Sequence, residues 1–286
     1  MTIKAIPIVA LGPGSQPADT DGQTLSYIDM PDDMATYQPP EVPEAVASLD
    51  AARAAMDWLR QALSVDAAAT KPQQANLSNL DADSREVVNQ ILGEGEVSMT
   101  YNGVIRARTQ EAVLAGVWRT LYLDQHEQVT HDLLEVADVP LLVRMPDARE
   151  PVIHATPQDV PGELMNALPI LAELESHLAN YRQTGIPHVI NLTLLPLSDA
   201  DVEFLDQHLG RGPIDMLSRA YGKCQIISTR ARDVWWVRYY NSMGTLILNT
   251  LEVVDVPQVA CAAPEDLADS RERLKEILTP YWADGI

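Results

Sequence analysis

The sequence predicts an α+β protein: an internal duplication of a two-helix plus antiparallel four-strand unit, arranged about a pseudo-twofold axis, with an extended N-terminal arm and a C-terminal helix. Three observations carry this. A shift of 117 positions lays Leu-Gly-Glu-Gly-Glu-Val-Ser-Met at Leu92 to Met99 on Leu-Gly-Arg-Gly-Pro-Ile-Asp-Met at Leu209 to Met216, and Leu-Glu-Val-Ala-Asp-Val-Pro at Leu134 on Leu-Glu-Val-Val-Asp-Val-Pro at Leu251. Val117, Trp118 and Tyr122 meet Val234, Trp235 and Tyr239 at the same offset, giving 16 identities over the 61 positions from Leu80 to Pro140, where chance gives about one in fifteen. Within each copy a helical period is followed by an alternating one. A period this long exceeds that of solenoid repeats and marks a duplicated domain.

Residues 1–43 are rich in proline, glycine, aspartate and methionine and read as the arm. Glu44 to Ser64 places Val46, Leu49, Ala52, Met56, Leu59 and Leu63 three and four apart, an amphipathic helix. Thr70 to Asn79 reads as a polar linker. Asp81 caps a second helix whose buried stripe is Val87, Val88, Ile91 and Leu92 and whose C-terminal residue is Gly93. The period then becomes two. Val97–Tyr101, Val104–Thr109, Ala115–Leu123 and Val129–Val136 are predicted strands, with Asn102-Gly103 a hairpin turn.

The second copy repeats the plan. One helix runs from Gly162 to Arg182, with Pro169 kinking it or marking its true start, and another from Ser198 or Asp199 to Leu209. Strands follow near Ile214 and at Cys224–Thr229, Val234–Tyr240 and Thr245–Val253. Proline-rich residues 146–161 form the predicted linker between a first repeat domain, 44–145, and a second, 162–286. The last helix opens at Pro264, has no counterpart in copy one, and is placed to cap or clasp the pair. Alternation predicts that Leu134, Val136, Leu251 and Val253 are buried while Glu135 and Glu252 face the other way, solvated or lining an inter-domain surface.

Composition narrows the function. The 286 residues carry 41 acidic against 20 basic side chains, a net charge of −21. This opposes binding to nucleic acid or anionic membranes and suits a basic protein segment, although acidity that merely keeps the protein soluble explains the charge at least as well. No apolar run of membrane-spanning length occurs and the N-terminal residues show neither a signal-peptide core nor a twin-arginine pair, so membrane insertion is not expected and a cytoplasmic location is. Cys224 and Cys261 lack a Cys-x-x-Cys frame and read as free thiols.

The six histidines form no familiar metal motif, and most read as ordinary surface or turn residues. Gly12-Pro13-Gly14-Ser15-Gln16 lacks the lysine of a phosphate-binding loop, and both Leu-Gly-x-Gly segments are explained as helix C-caps leading into strands. No nucleophile motif is present, so neither catalysis nor a resident cofactor is expected. The most unusual segment is Asp233 to Asn241. Trp235, Val237 and Tyr239 share one face; Trp236, Arg238 and Tyr240 share the other, where copy one has Arg119, Leu121 and Leu123. Because aromatic residues and arginine are enriched at interfaces, Trp236, Arg238 and Tyr240, together with Glu135 and Glu252, are candidate partner-binding residues, although a strand buried on both sides explains the aromatics equally.

Five segments together resemble the HupH (also HyaF or HoxQ) family of hydrogenase expression/formation proteins. They are Gly-Pro-Gly-Ser-Gln-Pro at Gly12 to Pro17; Met30-Pro31 with Met34 and Tyr37; Leu92 to Ser98; Val-Trp-Trp-Val-Arg-Tyr-Tyr-Asn-Ser at Val234 to Ser242; and Leu248 to Pro257 followed by Ala262 to Leu267. The resemblance covers nearly the whole chain. It implies two related domains and a chaperone-like, non-enzymatic role in maturing uptake NiFe hydrogenase, acting on the iron–sulfur small-subunit precursor before export. The precursor's twin-arginine signal peptide and other hydrogenase accessory proteins become the implied partners. Some relatives carry a rubredoxin-like extension, whose four metal-binding cysteines this chain lacks. The alternative is a redox or iron–sulfur handling protein that uses Cys224 or Cys261.

Overall fold

The computed structural model describes residues 46–64, 72–145, 149, 153, 164–219 and 222–282. The predicted arm at 1–43, the Gly12 to Gln16 segment within it and nearly all of the linker at 146–161 lie outside the described residues. Contacts group the described residues, all within Val42–Ile286, as one compact unit.

A 3-10 turn at Val46–Ser48 leads into α1 (Asp50–Ser64), followed by β1 (Gln73–Asn76), α2 (Ala82–Leu92), β2 (Val97–Asn102), β3 (Arg106–Glu111), β4 (Val117–Leu123), β5 (Val129–Val136) and the short α3 (Leu141–Arg144). Then come α4 (Ala167–Thr184), β6 (His188–Asn191), α5 (Asp199–Leu209), β7 (Arg211–Ser218), β8 (Lys223–Thr229), β9 (Val234–Tyr240), β10 (Leu246–Val253) and α6 (Pro264–Leu278). Sequence signals set several boundaries. Gly93 and Gly210 end α2 and α5 at positive φ, which glycine adopts without a Cβ clash. Pro169 stands in the first turn of α4, marking its start as expected, because a proline nitrogen there has no bond to lose.

Among the described residues, ten strands form one antiparallel sheet in the order β1-β5-β4-β3-β2-β7-β8-β9-β10-β6. Strands matched at the 117-residue offset stand at mirrored places in this order. At the central β2–β7 junction Met99 lies opposite Met216, its own match, with Ser98 opposite Leu217 and Thr100 opposite Asp215. This corrects the expectation of a separate four-strand sheet in each copy: β2 and β7 would each leave an open edge, and pairing them satisfies both rows of backbone groups. The flanking strands β1 and β6 also went unforeseen. Gln73–Asn76 carries no β-branched or aromatic residue and was read as linker, yet it pairs with β5 and Gln74 lies opposite Glu135.

Two helix layers cover one face of the sheet. On the first half α1, α2 and α6 bury Met56, Leu59, Val87, Val88, Ile91 and Leu274 against Val117, Leu134 and Val136. On the second α4 and α5 bury Leu171, Leu174 and Leu205 against Ile227, Val234, Trp236, Leu251 and Val253. The four aliphatics of the repeated Leu-Glu-Val are thus buried as expected. Each such side chain contributes roughly 1.5–3 kcal/mol when fully withdrawn from water.

The opposite face centres on Trp118, Trp235, Met99, Met216, Tyr101 and Ile226, covered by Val139, Leu142 and Val143 after β5 and by Val256 and Ala260 after β10. Both indoles tie down the chain leaving the strand beside them: Trp118 Nε1 donates to Ala137 O at 3.0 Å and Trp235 Nε1 to Asp255 O at 3.0 Å. Although α6 ends the chain, it packs on the first half, where Ser270 Oγ donates to Ala115 O. Gly116, at φ 75°, permits this, since a Cβ there would stand 2.2 Å from Leu267 Cδ2. The helix therefore clasps the earlier half, a placement that periodicity could not assign.

Candidate partner-binding surface

The five candidate residues divide between the two faces of the sheet. Trp236, Arg238 and Tyr240 alternate along β9 on the helix side. Trp236 is buried at 3% exposure, and its indole Nε1 donates to Asn249 Oδ1 at 2.5 Å. The Arg238 guanidinium lies 4.4 Å from the centre of the Trp236 ring and 3.5 Å from Asp206 of α5. The first two side chains therefore seat α5 on the sheet, the two-sided-strand explanation that the pattern had left open. Tyr240, half-buried, receives the Lys223 ammonium 5.4 Å from its ring centre.

Glu135 and Glu252 occupy the other face, where register sets them opposite Trp118 and Trp235. Glu135 is buried, not solvated: it accepts from Gln74 Nε2 at 2.9 Å and from the backbone N–H of Leu141 at 2.5 Å. Burial raises its carboxyl above the ordinary range, opposed by those two hydrogen bonds. Glu252 is half-buried and accepts from Thr250 Oγ1 at 3.2 Å; burial raises its carboxyl too. Neither glutamate meets the Trp236 group.

Among the described residues, no helix covers the middle of the sheet between the two helix layers. A groove of about 790 Å³ has β2, β3, β4 and β7 as its floor and the C-terminal end of α2 as one wall. Its apolar patches are Leu92, Leu121 and Leu217, and its polar rim includes Ser98, Thr100, Glu94 and Asp215. The arginines of this face end on carboxylates. Arg119 grips the fully buried Asp132 with Nε at 2.9 Å and Nη2 at 2.7 Å, Arg85 adds a third contact from α2, and Arg108 pairs with Glu127. Sequence reading missed the groove because its residues are the ordinary outward half of an alternating pattern; only the spacing of the helix layers exposes them together.

The two thiols border one cavity of about 460 Å³ on the opposite face. Burial, the leading cause for each, pushes Cys224 and Cys261 up to about 11. That favours the protonated thiol at neutral pH, the reverse of what a reactive or metal-binding cysteine needs.

The buried glutamates set a pH response. A carboxyl whose folded-state affinity for protons exceeds its unfolded one contributes stability that is lost as pH rises from the ordinary glutamate value near 4.5 through the raised folded value. Glu111, Glu135 and Glu252 all act in this sense. Asp201, whose burial is outweighed by hydrogen bonds from Ser198, Ala167 and Asn166 that hold its carboxyl low, acts oppositely, losing its contribution as pH falls below about 3.8. Urea unfolding is therefore expected to give greater stability at pH 5 than at pH 7, with Glu135→Gln narrowing the difference; stability that climbs steadily to pH 8 in both proteins would contradict this assignment.

These features define an α+β protein whose single sheet carries an open groove on one face and two burial-raised glutamates on the other. The profile described as HupH hydrogenase expression protein, C-terminal conserved region, matches residues 49–151 and again 164–281. The hydrogenase expression/formation protein HoxQ of Cupriavidus necator is 44% identical over 98% of both chains. HupH of Rhizobium leguminosarum bv. viciae is 41% identical over 78% of this chain and 80% of its own, and the hydrogenase-1 operon protein HyaF of Escherichia coli 34% over 93% and 94%. A solved hydrogenase expression protein HupH from Thiobacillus denitrificans is 31% identical, covering 40% of this chain and 96% of its own at a TM-score of 0.39. The chain belongs to the HupH family of hydrogenase expression proteins. Among the described residues no helix is long and apolar enough to cross a membrane.

Proposed function

We propose that this chain is a non-catalytic accessory protein of hydrogenase maturation, a cytoplasmic chaperone that holds the iron–sulfur small-subunit precursor before export. The observation that carries this reading is family membership across both halves, matched by relatives named hydrogenase expression/formation proteins. We also read the chain as two related domains, 44–145 and 162–286, descended from one duplicated unit and joined about a pseudo-twofold axis at β2–β7. The repeated profile match and the self-matching Met99–Met216 pair support that reading.

The groove on the helix side suits the precursor's signal peptide. Such a segment combines arginines with an apolar stretch. The groove offers Glu94 and Asp215 beside Leu92, Leu121 and Leu217, on a chain of net charge −21 whose groove-side arginines are already paired. Opposite charge chiefly accelerates encounter, and apolar contact then holds the segment. Trp236 and Arg238 serve this site indirectly by fixing α5.

The test is a titration of precursor, and of small subunit without its signal peptide, at low and high salt. The precursor is expected to bind at least tenfold more tightly, with affinity falling as salt screens exposed charges. Leu217→Asp should weaken it by a further tenfold. Equal affinity for the two forms, or indifference to salt, would exclude the signal-peptide reading.

A further inference from the structure

We propose that Glu173, His177 and His188 form a binding site for a divalent transition-metal ion of the Zn²⁺ class. The three residues come from two elements that the fold brings side by side. Glu173 and His177 are four apart on α4 and so project from one face of the helix. His188 opens β6, the outermost strand, held in place by its register against Val253 of β10. Their donor atoms all lie within 4.8 Å of one another. In a tetrahedral zinc site with bonds of about 2.0–2.2 Å, ligand atoms stand roughly 3.3 Å apart, so the donors are near the required spacing and one imidazole must turn about its χ2 to aim its lone pair at the shared ion.

The three side chains already stand in mutual contact. His188 Nε2 already stands 2.7 Å from Glu173 Oε1, leaving one proton's place between a nitrogen and a carboxylate oxygen. The imidazoles of His177 and His188 stack with their centres 3.4 Å apart and planes 3° from parallel. The nitrogen lone pairs lie in the ring planes, so a shared ion needs one of the two rings turned out of the stack, with the other left in place on its side of the site. Two imidazoles and a carboxylate suit Zn²⁺ over Mg²⁺, which prefers oxygen donors, and leave a fourth position open to water or to a partner's side chain. Both His188 and Glu173 keep solvent access, at 27% and 44% side-chain exposure, so an ion can enter.

The cluster belongs to the second half alone. At the 117-residue offset the matching positions are Met56, Arg60 and Lys71, and Met56 is buried in the first-half core. Sequence reading missed it because the donors are scattered as Glu-x-x-x-His and a histidine eleven residues later, a spacing that follows from the α4–β6 turn. Bound metal would fasten the outer edge strand to the helix above it.

The experiment uses the full chain, stripped with chelator and titrated with Zn²⁺ against a chromophoric competitor, with Mg²⁺ as the comparison ion. One equivalent of Zn²⁺ is expected to bind at pH 7.5 and to bind at least tenfold more weakly at pH 5.5, because protons compete with the metal for imidazole nitrogen. Wild-type Tm should rise with Zn²⁺, since an ion that binds only the folded state stabilises it. The His177→Asn/His188→Asn double variant, checked for native circular dichroism, should lose at least tenfold in affinity and the Tm response, while His126→Asn/His131→Asn retains both. Undiminished binding in the first double variant, or Zn²⁺ uptake no tighter than Mg²⁺ and without a Tm change, would mean that the acidic surface adsorbs cations only and would overturn the site.

Discussion

Trp235→Ala is expected to lower the unfolding free energy by about 3–5 kcal/mol, and Trp118→Ala by a similar amount. Each indole is fully buried at the centre of the face shared by both halves. Removing one opens a cavity in a layer held between the sheet and the segments after β5 and β10. It also strips a partner from the buried Ala137 O beside Trp118, and from the part-buried Val254 O and Asp255 O beside Trp235. Phenylalanine separates the two contributions, since it retains most of the ring but not the N–H, and should cost about 1–2 kcal/mol. Urea unfolding with a common slope is the measurement. A loss below 1 kcal/mol in either alanine variant would mean that the two tryptophans are not equivalent anchors and that one half carries the shared core.

A second large effect is expected at Asp201. Its side chain is fully buried, with Oδ1 accepting from the backbone N–H groups of Met165, Asn166 and Ala167 at 2.9, 3.0 and 2.9 Å, and Oδ2 from Ser198 N and Oγ at 3.0 and 2.8 Å. One carboxylate thus satisfies the start of α4 and the start of its own helix α5, where it also meets the positive end of the helix dipole. Asp201→Ala leaves the buried Ala167 N–H and several part-buried donors without this partner and should cost about 3–4 kcal/mol. Asp201→Asn keeps an oxygen for the three N–H groups and should cost less, while Ser198→Ala removes the cap and one of the five donors to the carboxylate and should cost about 1 kcal/mol. An alanine variant no weaker than the asparagine one would show that the α4 start is satisfied by water. The matched cap in the first half exchanges the roles: there Asp81 caps α2 by accepting from Ser84 N at 2.8 Å, so aspartate and serine trade the two cap positions between the halves.

Elements with a strong period of their own were legible in the sequence. The helices α1, α2 and α5, the strands from β2 to β5 and from β8 to β10, and the burial of Leu134, Val136, Leu251 and Val253 follow from apolar spacing that each segment carries internally. Short elements without such a period were not. β1 and β6 exist because β5 and β10 need partners along their outer edges, and His188 becomes a neighbour of Glu173 only because β6 takes that edge. The candidate residues show the same division. Alternation placed Trp236, Arg238 and Tyr240 on one face of β9, but whether that face meets water or α5 depends on where a helix thirty residues earlier packs.

What the sequence determined by itself is what each stretch of chain can bury and the fact that two stretches bury the same pattern. Local periodicity and the constant offset decide both without reference to any distant residue. What only the tertiary structure decided is how the two stretches meet. One sheet runs unbroken through Met99 and Met216, α6 returns to clasp the half it does not follow, and the gap between helix layers becomes a groove. These outcomes depend on closing open strand edges and covering apolar faces across long separations, and the free energy for that resides in pairs of segments, not in either one alone.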